Sequence, residues 1–411
     1  MSDLQELLCQ LVSIPSVNPG WYRPAELSWT DYHLATGEAR LTDFLESLLA
    51  EWGQSCGRQV VHPGRENLIV RLQAPHWPPV EPAVSRPVVV LSAHQDTVAP
   101  APGMYDPWRP RVEEGRVYGL GACDVKGGMA AILQVAKRIL AQPEAPPADV
   151  VLAFTVNEES GFTGARALAE LFRQPDGRLL PRRPQAVVVA EPTELQVVVA
   201  HKGVVRWRIH TRGRAAHSAT PEAGVSAIYH MARVLLAIEE YNRRLQAGPR
   251  DPRCGTPSVC VGLISGGTGV NTVPERCTIE LDRRLIPGET VELARVDLRC
   301  FLEEKTGLRD AIEHEPPWME GPPLPDQSQA EMAVRLSTWA RRVAGQGQMV
   351  AAHFATDAPF FAAVDIPTVV FGPGSIAQAH TADEWIAVDQ VEWAVEILFH
   401  WILSWPTNLP Q

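Results

Sequence analysis

Acidic and imidazole side chains recur along the chain at points where predicted strands end. The set comprises His94, Asp96, Asp124, Glu158, Glu159, Glu191 and His380. Asp124 stands in a glycine-rich stretch, 118–128, that is typical of a strand end, a sharp turn and the start of a helix. Alone, it would be interpreted as a helix N-cap. The whole set offers oxygen and imidazole ligands without thiolate, which predicts two divalent cations: Zn²⁺, or alternatively Co²⁺ or Mn²⁺.

Each motif has an ordinary structural interpretation when it is considered by itself. His94 can be a core histidine, and His380 can be an exposed loop residue. The adjacent carboxylates of Glu158 and Glu159 are costly as structure alone, because they repel each other unless a cation or a proton is shared. Adjacent side chains at a strand end diverge, so we expect one to ligate metal and the other to face the substrate as a base. The carboxylate of Asp96 is expected to accept the second ring N–H of the histidine that precedes it.

Continuous apolar runs come before three of these groups. The runs at 88–94, 150–156 and 186–190 predict strands that are covered on both faces. Predicted helices, at 126–141 and from 164, alternate with the strands. This order predicts an α/β fold, an open mixed sheet flanked by helices, with its site at the carboxyl edge of the strands.

Further elements are predicted before and after this region. Ser2 and Gln5 form a predicted capping box that begins a helix ending before Pro15. The other predictions are a loop at 18–35, a helix at 37–52, strands at 59–62 and 67–73, a proline-rich loop at 74–87, a helix at 326–342 capped by Asp326, a strand at 367–371 and a final helix from 390.

The pattern changes after about residue 200, which predicts a second domain. A strand at 203–211 is followed by a helix capped by Thr220 that runs to about residue 245. Strands at 259–265 and 271–283 and a helix at 291–306 complete this part, and a proline-rich stretch at 316–325 is interpreted as the return linker. We therefore predict a catalytic domain from 1–200 and 316–411, with an inserted α+β domain at 201–315.

The composition argues against several classes of function. A formal net charge of −11 is unfavourable for binding nucleic acid or an anionic membrane. Seven scattered cysteines without a CxxC pair indicate reduced thiols and a cytoplasmic protein. No signal peptide is expected at the N-terminus, and no apolar run approaches the roughly 20 residues of a membrane span.

The ordered motifs resemble those of the M20 family of dizinc aminoacylases and carboxypeptidases, over residues 88–400. They are the HxD of His94, the GxGxxDxKG of Asp124, the Glu158–Glu159 pair, Glu191-Pro-Thr and the late His380. The resemblance implies a zinc-dependent exopeptidase-like catalytic domain with an inserted lid and dimerisation domain. It also implies that Asp124 bridges two metals, with His94 and Glu191 on one and Glu159 and His380 on the other. Glu158 is then the general base, and Asp96, as the partner of His94, is a further catalytic residue.

The family resemblance implies roles for residues elsewhere in the chain. His217 resembles a histidine of the inserted domain that reaches the site of a partner subunit, so a homodimer is expected. Asn271 and Arg284 resemble substrate-binding positions, and the arginine suits an α-carboxylate. The loop that contains Gly372, Gly374 and Ser375 is interpreted as a mobile segment able to offer backbone N–H groups to an anion. Cys123 is interpreted as a packing residue, and Val125 departs from the usual methionine.

Within the family, the sequence looks most like the acetylornithine deacetylases and the succinyl-diaminopimelate desuccinylases. Leu120 and residues 355–380 favour the deacetylases, so the expected substrate is N-acetyl-L-ornithine. The alternatives are a desuccinylase, which would require a further basic group, and a carboxypeptidase or dipeptidase acting on short peptides. No lysine near the motifs is an obvious candidate for that basic group. A non-catalytic relative is disfavoured because every expected ligand position is filled.

Overall fold

The computed structural model describes residues 2–21, 37–77 and 86–406. Most of the loop predicted at 18–35 and of the loop predicted at 74–87 lies outside the described residues. The chain divides into two compact units. The first comprises Met1–Val199, Asp326–Val350 and Thr356–Gln411, and the second comprises Ala200–Pro325 and Ala351–Ala355.

The described residues form the following strands and helices. The strands are β1 (Cys56–His62), β2 (Arg65–Arg71), β3 (Val88–His94), β4 (Arg111–Glu113), β5 (Arg116–Tyr118), β6 (Asp149–Thr155), β7 (Ala186–Val189), β8 (Val197–His201), β9 (Gly203–Arg212), β10 (Ala216–His217), β11 (Ser258–Gly266), β12 (Thr272–Val273), β13 (Arg276–Leu285), β14 (Ile312–His314), β15 (Met319–Gly321), β16 (Met349–Ala352), β17 (Thr368–Val370) and β18 (Trp385–Ala387). The α-helices are Asp3–Val12, Ala39–Glu51, Gly127–Leu140, Thr163–Arg173, Ala227–Ala247, Val291–Thr306, Glu331–Ala344, Ala358–Ala362 and Val388–Leu403.

The main sheet has eight strands in the order β1-β2-β6-β3-β7-β17-β8-β16. β3 runs parallel to both β6 and β7, and β17 runs parallel to β7. The β1–β2, β2–β6 and β17–β8 pairs are antiparallel, so the sheet is mixed. Every residue of β3, β6 and β7 is buried. The predicted mixed sheet with helices on its faces is confirmed, because continuous apolar strands require cover on both sides.

Helices of the first unit supply that cover. Gly127–Leu140, Glu331–Ala344 and Val388–Leu403 pack with the strands into one apolar core. The N-terminal helix begins with the predicted capping box, in which Ser2 and Gln5 exchange backbone-to-side-chain hydrogen bonds. Among the described helices, none has the length and the apolar run needed to cross a bilayer.

The second unit is an α+β arrangement with its own sheet. Its strands follow the order β11-β13-β9-β14, and β15 also pairs with β9. The helices Ala227–Ala247 and Val291–Thr306 pack on this sheet through a core that includes Trp207, Tyr241 and Leu298. The long antiparallel pairing of β9 with β13 forms the centre of the unit.

Two predicted helix starts are wrong. The helix predicted from Thr220 begins instead at Ala227, with Ser226 as its N-cap. Thr220 precedes instead a short 3₁₀ helix, Pro221–Ala223, and Val225, directly before the cap, exchanges two backbone hydrogen bonds of 2.8 Å with Arg214. Likewise, the helix predicted from Asp326 begins at Glu331. The Asp326 carboxylate accepts the N–H of Ser328 at 2.9 Å, which makes a turn and not a helix cap.

Several short strands were not predicted. The segment interpreted as a return linker contains β15, which belongs to the sheet of the second unit. The strand predicted at 271–283 is two strands, β12 and β13, separated by Pro274 and Glu275. β8, β16 and the small sheet β18-β5-β4 also escaped prediction.

Candidate functional site

The predicted metal ligands meet at the carboxyl edge of the main sheet. His94 ends β3, Glu159 follows the neighbouring strand β6, and Glu191 follows β7 on the other side. Because these three strands are parallel neighbours, their carboxyl ends lie side by side. Asp124 reaches the same edge from the turn before the helix Gly127–Leu140, and His380 reaches it from the loop before β18.

Asp124 stands at the centre of this cluster. Its Oδ1 lies 3.0 Å from Nε2 of His94, and its Oδ2 lies 3.4 Å from Nε2 of His380. Nε2 of His94 is also 3.9 Å from Glu191 Oε1, and Nε2 of His380 is 3.3 Å from Glu159 Oε1. Each carboxylate oxygen of Asp124 therefore faces a different imidazole, and each imidazole faces one further glutamate. This geometry suits a carboxylate that bridges two cations.

The contacts of Asp96 differ from the prediction. Nδ1 of His94 bonds to the backbone oxygen of Asp96 at 2.8 Å, whereas the nearer carboxylate oxygen of Asp96 is 3.8 Å away. The carboxylate accepts instead the backbone N–H groups of Glu158, at 3.1 Å, and Glu159, at 3.0 Å. The prediction of a His94–Asp96 carboxylate bond is therefore wrong. Asp96 fixes the turn that carries both glutamates, and its backbone oxygen orients the imidazole.

Further side chains support this turn, and none of them was predicted from sequence. Nδ2 of Asn18 donates to Asp96 Oδ2 at 2.7 Å and to Asn157 Oδ1 at 2.9 Å. The fully buried carboxylate of Glu38 accepts the N–H of Asn157 at 3.0 Å and binds the Arg65 guanidinium. Asn157 itself has a φ of 64°, in the left-handed region. The contacts that Asn18 and Glu38 make with Asp96 and Asn157 join residues more than 70 positions apart, so no local pattern reports them.

Another buried carboxylate, that of Asp357, lies near the cluster. Its Oδ2 accepts the hydroxyl of Thr155 at 2.7 Å. Its Oδ1 is buried without a hydrogen-bond partner among the described residues. Burial raises the pKa of Asp357 to about 7, and its charge contributes to the raised pKa values of Glu158 and Glu191. This residue falls in the 355–359 stretch that carried part of the family resemblance.

The electrostatics of the cluster require cations or protons. Burial raises the pKa values of Glu158 and Glu191 well above the usual carboxyl range, and neighbouring carboxylates raise them further. Burial alone would lower the pKa of His380, but its hydrogen bonds to Asp124 and Glu159 outweigh burial and raise this pKa to about 11. The ring of His94 also has a raised pKa, although it is buried. Without metal, the cluster therefore holds protons at neutral pH.

The donor set fits divalent metal ions. One ligand atom from each of His94, Asp124 and Glu159 lies within 4.8 Å of the other two. Imidazole and carboxylate donors of this kind suit Zn²⁺, Co²⁺ or Mn²⁺. Two cations would replace the protons and offset the repulsion between the buried carboxylates. The residues that would hold them are His94, Asp124, Glu159, Glu191 and His380.

The glycine loop before His380 does not have the open backbone that was predicted. The N–H of Gly372 donates to Thr193 Oγ1 at 3.1 Å, and the N–H of Gly374 donates to Gln390 Oε1 at 2.9 Å. The carbonyl of Ser375 accepts the thiol of Cys123 at 3.3 Å, which fits the packing role expected of that cysteine. A Cβ on Gly372 would come within 2.7 Å of the Glu191 carbonyl oxygen. The loop therefore holds the Glu191 turn, and the prediction that these two glycines bind an anion is contradicted.

Three predicted site residues lie in the second unit. His217 is exposed in β10, and its Nδ1 accepts the N–H of Ala219 at 3.1 Å. The carbonyl of Asn271 accepts the N–H of Ser218 at 3.0 Å, so Asn271 lies beside the histidine strand. The Arg284 guanidinium binds Asp282 through Nε at 2.7 Å and Nη2 at 3.2 Å. Their functional roles stay predictions.

Comparison with known proteins places these features in a family. The model of peptidase family M20/M25/M40 matches residues 90–404. An acetylornithine deacetylase of Vibrio campbellii is 28% identical over 408 residues, which cover 95% of this chain and 97% of that protein. An acetylornithine deacetylase of Edwardsiella ictaluri is 31% identical over 309 residues, which cover 73% of this chain and 76% of that protein. The fold resembles the M20 family metallo-carboxypeptidase Sso-CP2 of Sulfolobus solfataricus, with a TM-score of 0.75 at 16% identity over 98% of this chain and 99% of that one.

We expect the metal-free protein to bind two divalent cations per chain and to release protons on binding. Imidazole must be neutral to ligate a metal, and the pKa of His380 is raised to about 11 in the cluster without metal. The apparent affinity should therefore rise as the pH approaches that value. Calorimetric titration of chelator-treated protein with Zn²⁺, in buffers of different ionisation enthalpy, measures both the stoichiometry and the proton release. Full activity with one ion per chain, or heats independent of the buffer, would contradict the arrangement.

Proposed function

The chain belongs to peptidase family M20/M25/M40 and is a hydrolytic enzyme, and we propose that it hydrolyses the amide bond of an N-acyl amino acid. N-acetyl-L-ornithine is the proposed substrate, cleaved to ornithine and acetate. The observation that carries the proposal is the position of Asp124, whose two carboxylate oxygens face His94 and His380. Two cations bound there would supply Lewis-acid chemistry, by polarising the amide carbonyl and lowering the pKa of water.

Glu158 is the proposed general base. It directly precedes the proposed ligand Glu159, and the backbone N–H groups of both residues are fixed by the Asp96 carboxylate. Burial and nearby carboxylates raise the pKa of Glu158, and cations held by its neighbours would lower it towards the range in which a carboxylate accepts a proton at neutral pH. Its carboxylate then takes a proton from the attacking water and delivers it to the leaving amine.

The proposal of an acetyl group rests on similarity to other proteins and not on the metal-ligand cluster. Full-length similarity to acetylornithine deacetylases supports an acetyl group. Leu120, one of the residues on which the resemblance relied, is 1% exposed and packs with Val17 and Val98. Its effect on the substrate is therefore through packing, because the side chain does not reach a binding surface. The acyl preference must be tested on substrates directly.

One observation favours the desuccinylase as a second candidate. Arg206 and Arg284 share the single carboxylate of Asp282, which leaves one positive charge uncompensated within this group. Lys202 lies near Arg284 and Arg283. Burial is the largest cause that lowers the pKa of Lys202, and the charges of these two arginines lower it further. Lys202, whose Nζ donates to the carbonyl of Thr256 at 2.6 Å, is the proposed candidate for the further basic group. A second cation beside the proposed α-carboxylate site would suit a substrate with another carboxylate, such as a succinyl group.

The second unit is the proposed lid and dimerisation domain, and its proposed partner is a second copy of this chain. β11 is the terminal strand of its sheet, and Leu263 and Ile264 on that strand are 52% and 57% exposed. On the helix Ala227–Ala247, Tyr229 and Leu236 are 72% and 66% exposed. An apolar edge strand is a template for pairing with another strand, so two copies could cover these surfaces. His217 would then complete the site of the partner copy.

Replacing Glu158 by glutamine tests the proposed base. Glutamine is nearly isosteric, so E158Q should keep two metal ions while turnover falls by at least about a hundredfold. E159Q is the matched comparison, since it removes a proposed ligand one residue away and should lose metal. Metal analysis and steady-state kinetics of both variants separate the two roles. Near-normal turnover in E158Q would place the base elsewhere.

A substrate panel tests the acyl group and the amino acid. We expect kcat/KM to be highest for N-acetyl-L-ornithine among that compound, N-succinyl-diaminopimelate, neutral N-acetyl amino acids and peptides with a C-terminal glutamate. A deficit of more than about tenfold against any competitor, about 1.4 kcal/mol of transition-state binding, would overturn the assignment. If the succinyl compound leads and K202Q selectively weakens its hydrolysis, the second candidate is supported.

Subunit mixing tests the shared site. H217A and E158Q are each expected to be inactive as homodimers, for different reasons. A mixed dimer contains one site that has both an intact base and an intact histidine, so mixing should restore part of the activity. Mass spectrometry of the intact dimers verifies that subunits have exchanged. Absence of recovery after verified exchange would contradict a site that is completed by the partner.

A further inference from the structure

One buried carboxylate, that of Glu384, holds the turn that presents Asp124. Its Oε2 accepts the backbone N–H of Gly121 at 2.9 Å. Its Oε1 accepts the backbone N–H of Cys123 at 2.9 Å and that of Asp124 at 3.0 Å. The residue is 1% exposed, so these bonds are formed away from water. Both oxygens are thus committed to the backbone of one turn, more than 250 residues away in sequence.

The turn needs acceptors of this kind. Gly121 has a φ of 79°, and Asp124 and Val125 have non-helical backbone angles, so the N–H groups of this segment do not all join a helical ladder. A buried N–H without a partner is costly. Glu384 supplies three acceptor contacts at once, and no other segment of the described chain contributes an acidic side chain to these three N–H groups.

The place of Glu384 is set by the small sheet beside the turn. Trp385 of β18 pairs with Tyr118 of β5, directly before the turn. The carbonyl of Glu384 itself accepts the N–H of Gly119 at 3.0 Å. The Arg116 guanidinium lies 3.9 Å from the centre of the Trp385 ring, which adds a cation–π contact to the pairing. The pairing of β18 with β5 therefore places the Glu384 carboxylate beside the N–H groups of the turn.

A buried lysine lies in the same turn. Lys126 is 1% exposed, and its Nζ donates to the carbonyl of Ile14 at 2.7 Å. Burial lowers the pKa of Lys126 to about 7, and the nearby Glu384 opposes this shift. The three N–H donors and this lysine offset part of the cost of burying the Glu384 carboxylate. The lysine of the GxGxxDxKG motif thus has a structural role that its sequence position alone did not indicate.

We propose that Glu384 is a positioning residue for the metal centre. It fixes the backbone of Asp124 so that Oδ1 faces His94 and Oδ2 faces His380. We call its three hydrogen bonds to the backbone of this turn the clamp. Because Glu384 follows His380 by four residues, the clamp also ties the segment that carries His380 to the turn that carries Asp124. The proposal rests on the proposed two-metal function. It assigns to Glu384 no contact with substrate or metal.

The test compares E384Q with D383N, using Zn²⁺ as the probe. In E384Q, an amide NH₂ must face at least one of the three backbone N–H groups, so the clamp fails although the side chain keeps its shape. Asp383 is exposed and adjacent, so D383N makes the same change of charge outside the clamp. Competition with a chromophoric chelator measures Zn²⁺ affinity. We expect about a ten- to a hundredfold loss in E384Q, and a change within about twofold in D383N.

The outcomes separate this proposal from the one on which it rests. If the wild type fails to bind two ions, the two-metal function itself is wrong. If the wild type binds two ions and E384Q binds them with unchanged affinity, Glu384 is not a positioning residue. A variant that is only less stable would melt at a lower temperature, yet its melting temperature would rise with Zn²⁺ as much as that of the wild type, and this result also overturns the proposal.

A second measurement uses the wild type alone and holds even if E384Q does not fold. Because the clamp is made by the protein, the N–H groups of Gly121, Cys123 and Asp124 should exchange slowly with deuterated solvent in the metal-free enzyme. Hydrogen exchange of the 118–126 segment, resolved by residue, measures this before and after Zn²⁺ is added. Protection already present without metal supports the clamp. Exchange at the rate of an open loop without metal, with protection only afterwards, would overturn it.

Discussion

The repulsion among buried carboxylates at one edge of a sheet governs the rest of the first unit. Asp124, Glu158, Glu159 and Glu191 are each at most 8% exposed, and the site keeps them together although burial penalises their charge. Such a cluster is stable only when cations or protons offset it and when its backbone cannot relax. The parallel strands fix three of the four attachment points. The fourth, the turn of Asp124, follows only the short strand β5 outside the main sheet, and that is where the protein places a further carboxylate, Glu384.

The parts of the fold that the sequence revealed are those whose signal is local. Both faces of β3, β6 and β7 are covered, so each of these strands is a continuous apolar run. Such a run can be recognised in the sequence without knowing which elements pack against it. The proposed ligands were found for the same reason, since each follows such a run or a glycine-rich turn. The strand order of the mixed sheet brings these residues together. The prediction needed only that the strands be parallel neighbours, and it did not depend on their order.

The parts that the sequence did not reveal depend on partners distant along the chain. Asp96 stands two residues from His94, which suggested a contact between their side chains, but its carboxylate is occupied by Asn18 and by the turn of Glu158. The N–H groups of Gly372 and Gly374 resembled an anion site, but side chains of other segments already accept them. In the second unit, a short 3₁₀ helix and the bridge between Arg214 and Val225 come between Thr220 and the helix that it was expected to cap. In each case a local preference yielded to a hydrogen bond that sequence spacing cannot report.

The described contacts keep the proposed metal ligands and the proposed substrate-binding cations in separate groups. The hydrogen bonds described for the ligand cluster, from Asp96 to Glu384, all join residues of the first unit. The cationic group of Arg206, Arg284 and Lys202 belongs to the second unit and is organised by Asp282 and by its own sheet. A substitution in that group changes the charge available to a substrate without altering any described contact of the metal ligands. Substitution of a proposed ligand is therefore strictly limited, because these side chains contact buried partners. The proposed substrate-binding arginines are partly exposed, so their replacement would leave the core intact.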